Sequence, residues 1–188
     1  MGSITYRPDE FDTQVADMLV ATPNGADPLV SPVVQEVLRM LRDKLGMDVV
    51  FVSQFSEGRR TLRLVDTRAR PGPVRAGDSD PLEQSWCQRV VDGRLPQFIA
   101  DAQPFVADGS APDPGFPIGT HISTPVSLRG GAVFGTLCCF SFTQVAAANE
   151  EDLRRLQYTA RLLAAKLDAS DVCRALSAPR TPARSVRH

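Results

Sequence analysis

Few side chains in this 188-residue sequence are suited to nucleophilic or metal chemistry, since it contains only four cysteines and two histidines. The cysteines are Cys87, Cys138, Cys139 and Cys173. Cys138 and Cys139 are adjacent, so on a strand they would point to opposite faces of a sheet. No pair of cysteines has the C-x-x-C spacing, and only His121 and His188 could join them as ligands. The pattern therefore does not favour a zinc site, and we interpret the cysteines as free thiols of a reducing compartment.

Cys87 and His121 are the residues of this group that could contact a small molecule. Cys87 falls in a predicted helix. A thiol becomes a good nucleophile only where nearby positive charge stabilises the thiolate, and a buried cysteine usually serves as a small hydrophobic group. His121 begins a predicted strand and shares a face with Ser123. Its imidazole could bind a ligand or a haem iron, or it could be a structural histidine at a strand entrance.

Aromatic side chains could form the walls of a pocket, although such residues more often fill a core. Asp101 begins a long loop whose carboxylates lack the spacing of a calcium-binding loop, which favours a solvated loop. The predicted ligand contacts are Phe51, Ser53, Trp86, Cys87, Phe98, Asp101, Phe116, His121 and Ser123. We predict no catalytic residue and no metal ligand, and the pattern names no cofactor.

The composition is that of an ordinary globular protein, with 43% hydrophobic and 23% charged residues. A formal net charge of −1 creates no field that would attract nucleic acid or an anionic membrane, so we expect neither as a partner. The sequence has no apolar run of about 18 residues and no signal peptide, which predicts a cytoplasmic protein. Its basic residues are almost all arginine, a bias that we associate with a GC-rich bacterial genome.

Apolar spacing predicts two helices before the first strand. The first covers Asp9–Ala21 and ends before a Pro-Asn-Gly stretch, so residues 1–30 are predicted to be an N-terminal helix and linker. The second begins at Ser31-Pro32, a capping hydroxyl followed by a first-turn proline, and ends at Gly46. Two strands follow, Met47–Phe55 and Arg60–Thr67, joined by a tight turn at Glu57-Gly58.

The middle of the chain reads as a short helix, an edge strand and a long loop. Asp80-Pro81-Leu82-Glu83 predicts the helix start, with Asp80 as the N-cap, and Gly93 predicts its end. Gln97–Ala100 is predicted to be a short strand. Asp101–Gly119 contains four prolines, which predicts neither helix nor central strand. A loop of that length is usually a lid or a binding loop.

The last elements are a hairpin and a long helix. His121–Leu128 and Ala132–Phe142 flank a glycine turn, and Asn149 is predicted to cap the final helix. That helix carries a heptad seam of Leu153, Leu156, Ala160, Leu163 and Leu167, which could pack on the sheet or form a twofold dimer. Residues 177–188 are compositionally a disordered tail. The order of elements predicts an α+β fold: an antiparallel sheet with terminal helices on one face, and a short helix and long loop covering a pocket on the other.

Three stretches between about Ser31 and Leu167 resemble the GAF domain family. They are LGMDVVFVSQF, CQRVVDGRLPQFIADA, and ISTPVSLRGGAVFGTLCCFS followed by DLRRLQYTARLLAAKL. The most recognisable is the Pro-Val-x-x-x-Gly-Gly-x-x-x-Gly-x-Leu pattern from Pro125 to Leu137. The resemblance implies a GAF-like domain over residues 31–170: a small-molecule sensor whose helices dimerise and pass a signal onward.

The marks of known GAF subgroups are mostly missing from this sequence. Bilin-binding members carry a Cys-His pair, and no cysteine here precedes a histidine. Cyclic-nucleotide-binding members carry an Asn-Lys-Phe-Asp-Glu set, but the asparagines Asn24 and Asn149 lie outside the pocket region. Haem-binding members need an axial histidine, for which His121 is the candidate. The cysteine set of the free methionine sulfoxide reductases, which resemble single GAF domains, is not reproduced.

We therefore predict a cytoplasmic sensor that binds a small organic ligand and forms a homodimer through its helices. Because no kinase or cyclase domain follows the last helix, its output is expected to be a separate effector protein. Ligand would order the Asp101–Gly119 loop and shift helix packing. Two alternatives stay open: a thiol-based redox enzyme of the free methionine sulfoxide reductase type that uses Cys87, and a ligand-free structural dimerisation module.

Overall fold

The computed structural model describes residues 6–22 and 27–170, and within these ranges the chain forms one six-stranded antiparallel sheet. The strands are β1 (Val49–Ser56), β2 (Arg59–Thr67), β3 (Ser79–Pro81), β4 (Phe98–Ile99), β5 (His121–Ser127) and β6 (Val133–Phe140). The helices are α1 (Glu10–Ala21), α2 (Pro32–Leu45), α3 (Trp86–Val91), α4 (Gln103–Ala107) and α5 (Glu150–Asp168). The strand order is β3-β2-β1-β6-β5-β4, and every neighbouring pair is antiparallel. The predicted α+β fold is confirmed.

The three long helices begin and end where local chemistry predicts. Asp9 caps α1 and Asn149 caps α5, and both form a complete capping box. Ser31 caps α2 by accepting a hydrogen bond from the backbone of Val33 at 3.3 Å. Gly46 ends α2 with φ of 67°, a left-handed conformation that glycine adopts without strain.

One face of the sheet is covered by α1, α2 and α5. The buried side chains on this face are almost entirely aliphatic, among them Val37, Leu38, Leu41, Val50, Val52, Leu137, Leu156 and Leu163. Four residues of the predicted heptad seam belong to this core, and α5 packs along β5 and against α1. The seam is therefore used within one subunit. Dimerisation stays a prediction and would need other surfaces.

A buried ion-pair network joins α1 to α5 in this layer. The Arg155 guanidinium contacts the Asp9 carboxylate at 2.6 Å and the fully buried Asp12 carboxylate at 3.4 Å. The Tyr6 hydroxyl donates a hydrogen bond to Asp12, and the Phe11 ring lies 5.5 Å from the guanidinium. Asp9 is exposed, but Arg155 and Asp12 are withdrawn from water, so these two buried charges depend on each other.

The opposite face of the sheet is covered by α3, α4 and the loop segments around them. Strand alternation sends Val50 and Val52 toward the helix layer and Val49 and Phe51 toward this second face. The adjacent cysteines of β6 divide in the same way, with Cys138 on the second face and Cys139 in the helix core. The prediction that they face opposite sides is confirmed.

The start of the short helix differs from the prediction. Asp80 and Pro81 belong to β3, which pairs with Arg60 and Arg59 of β2, and the Asp80 carboxylate accepts from Arg60 instead of capping a helix. Helix α3 begins after Ser85, whose hydroxyl accepts from the backbone of Gln88. Strand pairing thus outweighed a local capping signal.

The Asp101–Gly119 loop also contains structure that its prolines argued against. Residues Gln103–Ala107 form α4, with Pro104 in the first turn, where a missing backbone N–H costs nothing.

The Pro-Asn-Gly break, residues 177–188, Cys173 and His188 lie outside the described residues. No described helix is long and apolar enough to cross a membrane.

Candidate ligand-binding site

A cavity of about 420 Å³ lies between the second face of the sheet and its cover. Phe51, Leu62 and Phe140 of the sheet form its floor, Trp86 of α3 forms one wall, and Phe116 of the loop forms another. This volume falls within the roughly 300–1,000 Å³ that is typical of small-molecule pockets. The cavity exists because α3 and α4 are too short to fill the sheet face as α5 fills the other.

The aromatic walls are held by contacts within the cavity and with the loop. Phe116 stacks on Phe140 with ring centroids 5.6 Å apart and an interplanar angle of 22°. Trp86 lies 4.9 Å from His121, centroid to centroid, and its indole N–H donates to the carbonyl of Pro112 at 2.7 Å. This bond ties the long loop to α3, so a molecule touching Trp86 would also affect the loop.

His121 lies at the buried end of the cavity with one ring nitrogen satisfied and one not. Its Nε2 is 3.3 Å from the Cys138 sulfur, whereas Nδ1 is buried and finds no hydrogen-bond partner within the described chain. Burial and the positive charge of Arg60 lower the pKa of His121 to about 3, so the ring is neutral near pH 7. Burial also raises the pKa of the Cys138 thiol. A neutral ring and a neutral thiol therefore face each other.

Arg60 is the cation among the described residues that line the cavity, and each of its three guanidinium nitrogens already contacts a neighbour. Its Nε and Nη2 contact the two oxygens of Asp80 at 3.0 and 2.5 Å, while Nη1 lies 3.5 Å from the Cys87 sulfur. The guanidinium carbon is 5.8 Å from the Phe51 ring centroid. Burial alone would lower the pKa of Arg60, but Cys87 and Asp80 outweigh it and the pKa is raised. This arrangement pins the Cys87 sulfur against a permanent positive charge.

The mouth of the cavity is acidic. Asp78 and Asp113 line it from two loops and are exposed, and Asp80, which pairs with Arg60, is half-buried. Asp78 accepts a hydrogen bond from the backbone of Arg75 at 2.7 Å, and Asp113 accepts from Gly115 at 2.8 Å. These bonds orient the carboxylates without neutralising their charge. No group of three or more metal-binding side chains occurs among the described residues.

Five of the nine predicted contacts line this cavity. They are Phe51, Trp86, Cys87, Phe116 and His121. They come from three different parts of the fold, namely the sheet, α3 and the loop. Strand alternation placed Phe51 and His121 on one face, and the helix stripe placed Trp86 over that face.

The structure places the other four predicted contacts elsewhere. Phe98 packs against the helix layer, because β4 directs its neighbour Ile99 toward the cavity side. The Asp101 carboxylate is exposed and accepts from the backbone of Gln103 at the start of α4. Ser123 is buried opposite Cys138 on β6, beyond the cavity lining, and its hydroxyl lies beside the Cys138 thiol.

Ser53 is used to join two strands. A β-bulge between Val52 and Ser53 interrupts the register of β1 with β2, and the Ser53 hydroxyl lies 2.9 Å from that of Thr136. The close approach of β1 and β6 also explains why residue 135 is a glycine. A Cβ atom at this position would lie 2.0 Å from the Ser53 carbonyl oxygen. Ser53 thus holds β6 against β1.

Several lining residues escaped prediction from sequence. Arg60, Asp78 and Asp80 lie in or beside β2 and β3, and Cys138 and Phe140 lie on β6. Alternation along β6 could have found Cys138, since it shares a face with Phe140 and pairs across the sheet with β5. Nothing local marks Arg60 or the aspartates, because their convergence depends on the pairing of β2 with β3.

Comparison with known proteins agrees with this architecture. The profile of the GAF domain family matches residues 30–168 of the chain. No curated protein sequence matches it. Three solved structures share the fold at 13–14% sequence identity, a level that is informative about fold alone.

The first is described as a GAF sensor protein from Burkholderia vietnamiensis, with TM-score 0.64, 13% identity, and coverage of 82% of this chain and 89% of that one. The second is the GAF domain from Acinetobacter phosphoenolpyruvate-protein phosphotransferase, with TM-score 0.62, 14% identity, and coverage of 87% and 96%. The third is the fRMsr of Staphylococcus aureus in complex with substrate, with TM-score 0.62, 13% identity, and coverage of 86% and 98%. A matched profile over most of the chain and this shared fold lead to one conclusion: the chain belongs to the GAF domain family.

Proposed function

We propose that this protein is a cytoplasmic sensor module that binds a small organic molecule in the cavity between its sheet and α3. The observation that carries the proposal is the cavity itself, in which aromatic walls converge on a buried His121 whose Nδ1 lacks a partner in the described structure. A polar atom withdrawn from water without a partner is costly, so a bound molecule that pairs with it would gain affinity. Membership of a family of ligand-binding and sensor domains supports the same function.

Signal output would start at the loop that covers the cavity. Phe116 and Ile118 of this loop line the cavity, and the Trp86 indole holds its Pro112 carbonyl. A ligand that contacts these groups would favour one loop arrangement over others, which is a population shift. The signal would then pass to a separate effector protein.

Homodimerisation through the helices is part of the proposal, and a surface other than the heptad seam would carry it. Leu19 and Val20 of α1 and Leu162 of α5 border a shallow groove, and Val20 is 79% exposed. Replacing Val20 with Glu should convert a dimer to monomer in light-scattering measurements. The same replacement should leave the far-UV circular dichroism unchanged, because this side chain packs against little.

Native mass spectrometry before and after denaturation tests ligand binding directly. A non-covalent mass that disappears on denaturation would support the sensor function and identify the ligand. A thermal-shift screen complements it, since a bound ligand stabilises the folded state by mass action. Empty protein together with no stabilising compound in a broad screen would contradict the proposal.

A thiol-based redox enzyme is the second candidate. Two thiols, Cys87 and Cys138, line the cavity, and the first lies against Arg60. The similarity in fold to the Staphylococcus aureus fRMsr fits this alternative. Sulfoxide reduction would oxidise two thiols to a disulfide, release the oxygen as water and require an external thiol to restore the pair. Cys87→Ser should abolish such turnover, whereas a sensor would keep binding its ligand.

The third candidate, a ligand-free dimerisation module, would be expected to have a collapsed pocket. The open cavity does not support it.

A further inference from the structure

The walls of the cavity are suited to a flat ring. Phe51, Trp86, Phe116 and Phe140 border the space from the sheet, from α3 and from the loop. Aromatic side chains on several sides favour an aromatic guest, because stacked and edge-to-face contacts add to the burial of apolar surface. The shape of the site therefore indicates a planar ring system.

The buried end of the cavity favours a ligand that carries a hydroxyl group there. His121 is 3% exposed, and its Nε2 is occupied by the Cys138 thiol, so Nδ1 is the atom left to pair. A neutral imidazole has one donor nitrogen and one acceptor nitrogen, and the thiol contact is compatible with either assignment. A hydroxyl can donate or accept and so satisfies Nδ1 in both tautomers.

The charges that line the cavity disfavour an anion. Among the described residues that line the cavity, Asp78, Asp80 and Asp113 contribute three carboxylates. Arg60 contributes the one guanidinium there, and Asp80 already pairs with it. An incoming carboxylate or phosphate would meet negative charge at the mouth. Inside the cavity it would have to compete with Asp80 for the Arg60 guanidinium. An ammonium group at the mouth would be attracted by Asp78 and Asp113.

We infer that the cavity accepts an uncharged or cationic hydroxylated aromatic compound, with the ring hydroxyl at His121 and the other end at the acidic mouth, and that it rejects the corresponding anion. This inference rests on the proposed ligand-binding function. It goes further by assigning the chemical class of the ligand and the orientation in which it binds.

A matched set of probes tests the charge preference. Tyramine, tyrosol and 4-hydroxyphenylacetate share one ring, one hydroxyl and a two-carbon arm, and they end in an ammonium, a hydroxyl and a carboxylate. Trp86 is the only tryptophan in the chain and lines the cavity, so selectively excited tryptophan fluorescence reports occupancy. We expect affinity to fall from the amine to the alcohol to the acid, with about tenfold between the ends, since each rim carboxylate acts as an exposed charge pair.

Rim variants show whether the carboxylates cause this order. Asp78→Asn combined with Asp113→Asn should reduce the difference between tyramine and 4-hydroxyphenylacetate to about twofold. Glu83→Gln is the matched control, because Glu83 is an exposed carboxylate near α3 that does not line the cavity. It should leave the order unchanged. All three replaced side chains are exposed, so the double variant and the control should both fold.

The hydroxyl is tested by comparing tyramine with phenethylamine, which lacks it. Tyramine should bind about fivefold more tightly to the wild type, the value of one buried neutral hydrogen bond. His121→Phe keeps an aromatic ring beside Trp86 and removes Nδ1, so it should erase this advantage. If His121→Phe does not fold, the comparison of tyramine with phenethylamine in the wild type still shows whether the hydroxyl contributes to affinity.

Tighter binding of the acid than of the amine, or equal binding of all three probes, would overturn the inference and leave ligand binding itself intact. No response of Trp86 to any probe would also overturn it. The proposed function would then be judged separately, by native mass spectrometry and the thermal-shift screen.

Discussion

The two faces of the sheet are built by the same strands but differ in what they leave unfilled. On the helix face, α2 and α5 bury rows of leucine and valine, and Leu38, Leu41 and Leu163 are wholly inaccessible. On the other face, short helices and a loop leave about 420 Å³ between aromatic rings, two thiols and a neutral histidine. A close-packed interior maximises stability, whereas a cavity forgoes part of it. The difference supports the proposal that one face mainly stabilises the fold and the other binds a ligand.

The largest effect on stability is expected from the ion-pair network of the helix face. Arg155→Ala should destabilise the protein by about 3–5 kcal/mol, because it leaves the buried Asp12 carboxylate without its cation. Chemical denaturation at neutral pH would measure the loss. Arg161→Ala, on the exposed side of the same helix, is the matched control and should cost little. A loss below about 1 kcal/mol for Arg155→Ala would show that water reaches this network.

A pair of truncations compares the two faces directly. Leu163→Ala on the helix face should cost about 2–5 kcal/mol, since it opens a void in a closed core. Phe116→Ala at the cavity should cost less than Leu163→Ala, because its ring is half-buried beside space that already exists. Binding should show the reverse order, with Phe116→Ala weakening ligand binding and Leu163→Ala leaving it unchanged under native conditions. Equal stability losses would remove the distinction between the faces.

The pH dependence of stability tests the burial of His121. Its folded pKa, about 3, lies below the unfolded value of about 6.5, so the unfolded state binds a proton first as pH falls. The contribution of this group is therefore present above pH 6.5 and is lost on acidification, by up to about 1.4 kcal/mol per pH unit. Comparing denaturation of the wild type and His121→Gln at pH 7 and pH 5.5 isolates it from the carboxylates. Equal pH dependence in the two proteins would contradict a buried neutral histidine.

The smallest effect is expected at the cap of α5. Asn149→Ala should cost about 1 kcal/mol, because it removes the acceptor for the Glu151 backbone N–H. Asn149→Asp retains that acceptor and should restore most of the stability. Thermal unfolding measures both variants. Ligand affinity should not change, since α5 covers the other face. An effect of Asn149→Ala on affinity would indicate coupling between the faces.

Prediction from sequence succeeded where structure depends on neighbours along the chain. The caps of α2 and α5, the hairpin turns and the alternation of β1 and β6 all follow from residues within a few positions of one another. It failed at Asp80, where a local capping signal competed with pairing between β2 and β3. Ser53 and Phe98 do not line the cavity, because their surroundings depend on strand register rather than on residue type.

The candidate site shows the same division. Phe51, Trp86, Phe116 and His121 line the cavity, as their ring side chains on the inner face of a strand, helix or loop suggested. Their contact with a ligand stays a prediction. Arg60, Asp80 and Cys87 form one cluster only because β2 brings Arg60 beneath α3, twenty-seven residues away in sequence. The spacing of residues along the chain does not predict the contact between Arg60 and Cys87.

The amino-acid sequence by itself determined the long helices, the caps of α2 and α5, the division of Cys138 from Cys139 and the α+β architecture. These features depend on local backbone preference and on the period of apolar residues. Only the tertiary structure decided that most of the heptad seam is buried against the sheet and that the mouth of the cavity is acidic. It also decided that one His121 nitrogen has no partner among the described residues. Charge, burial and unpaired atoms at a point in space are sums over distant segments, and the chain brings those segments together only when it folds.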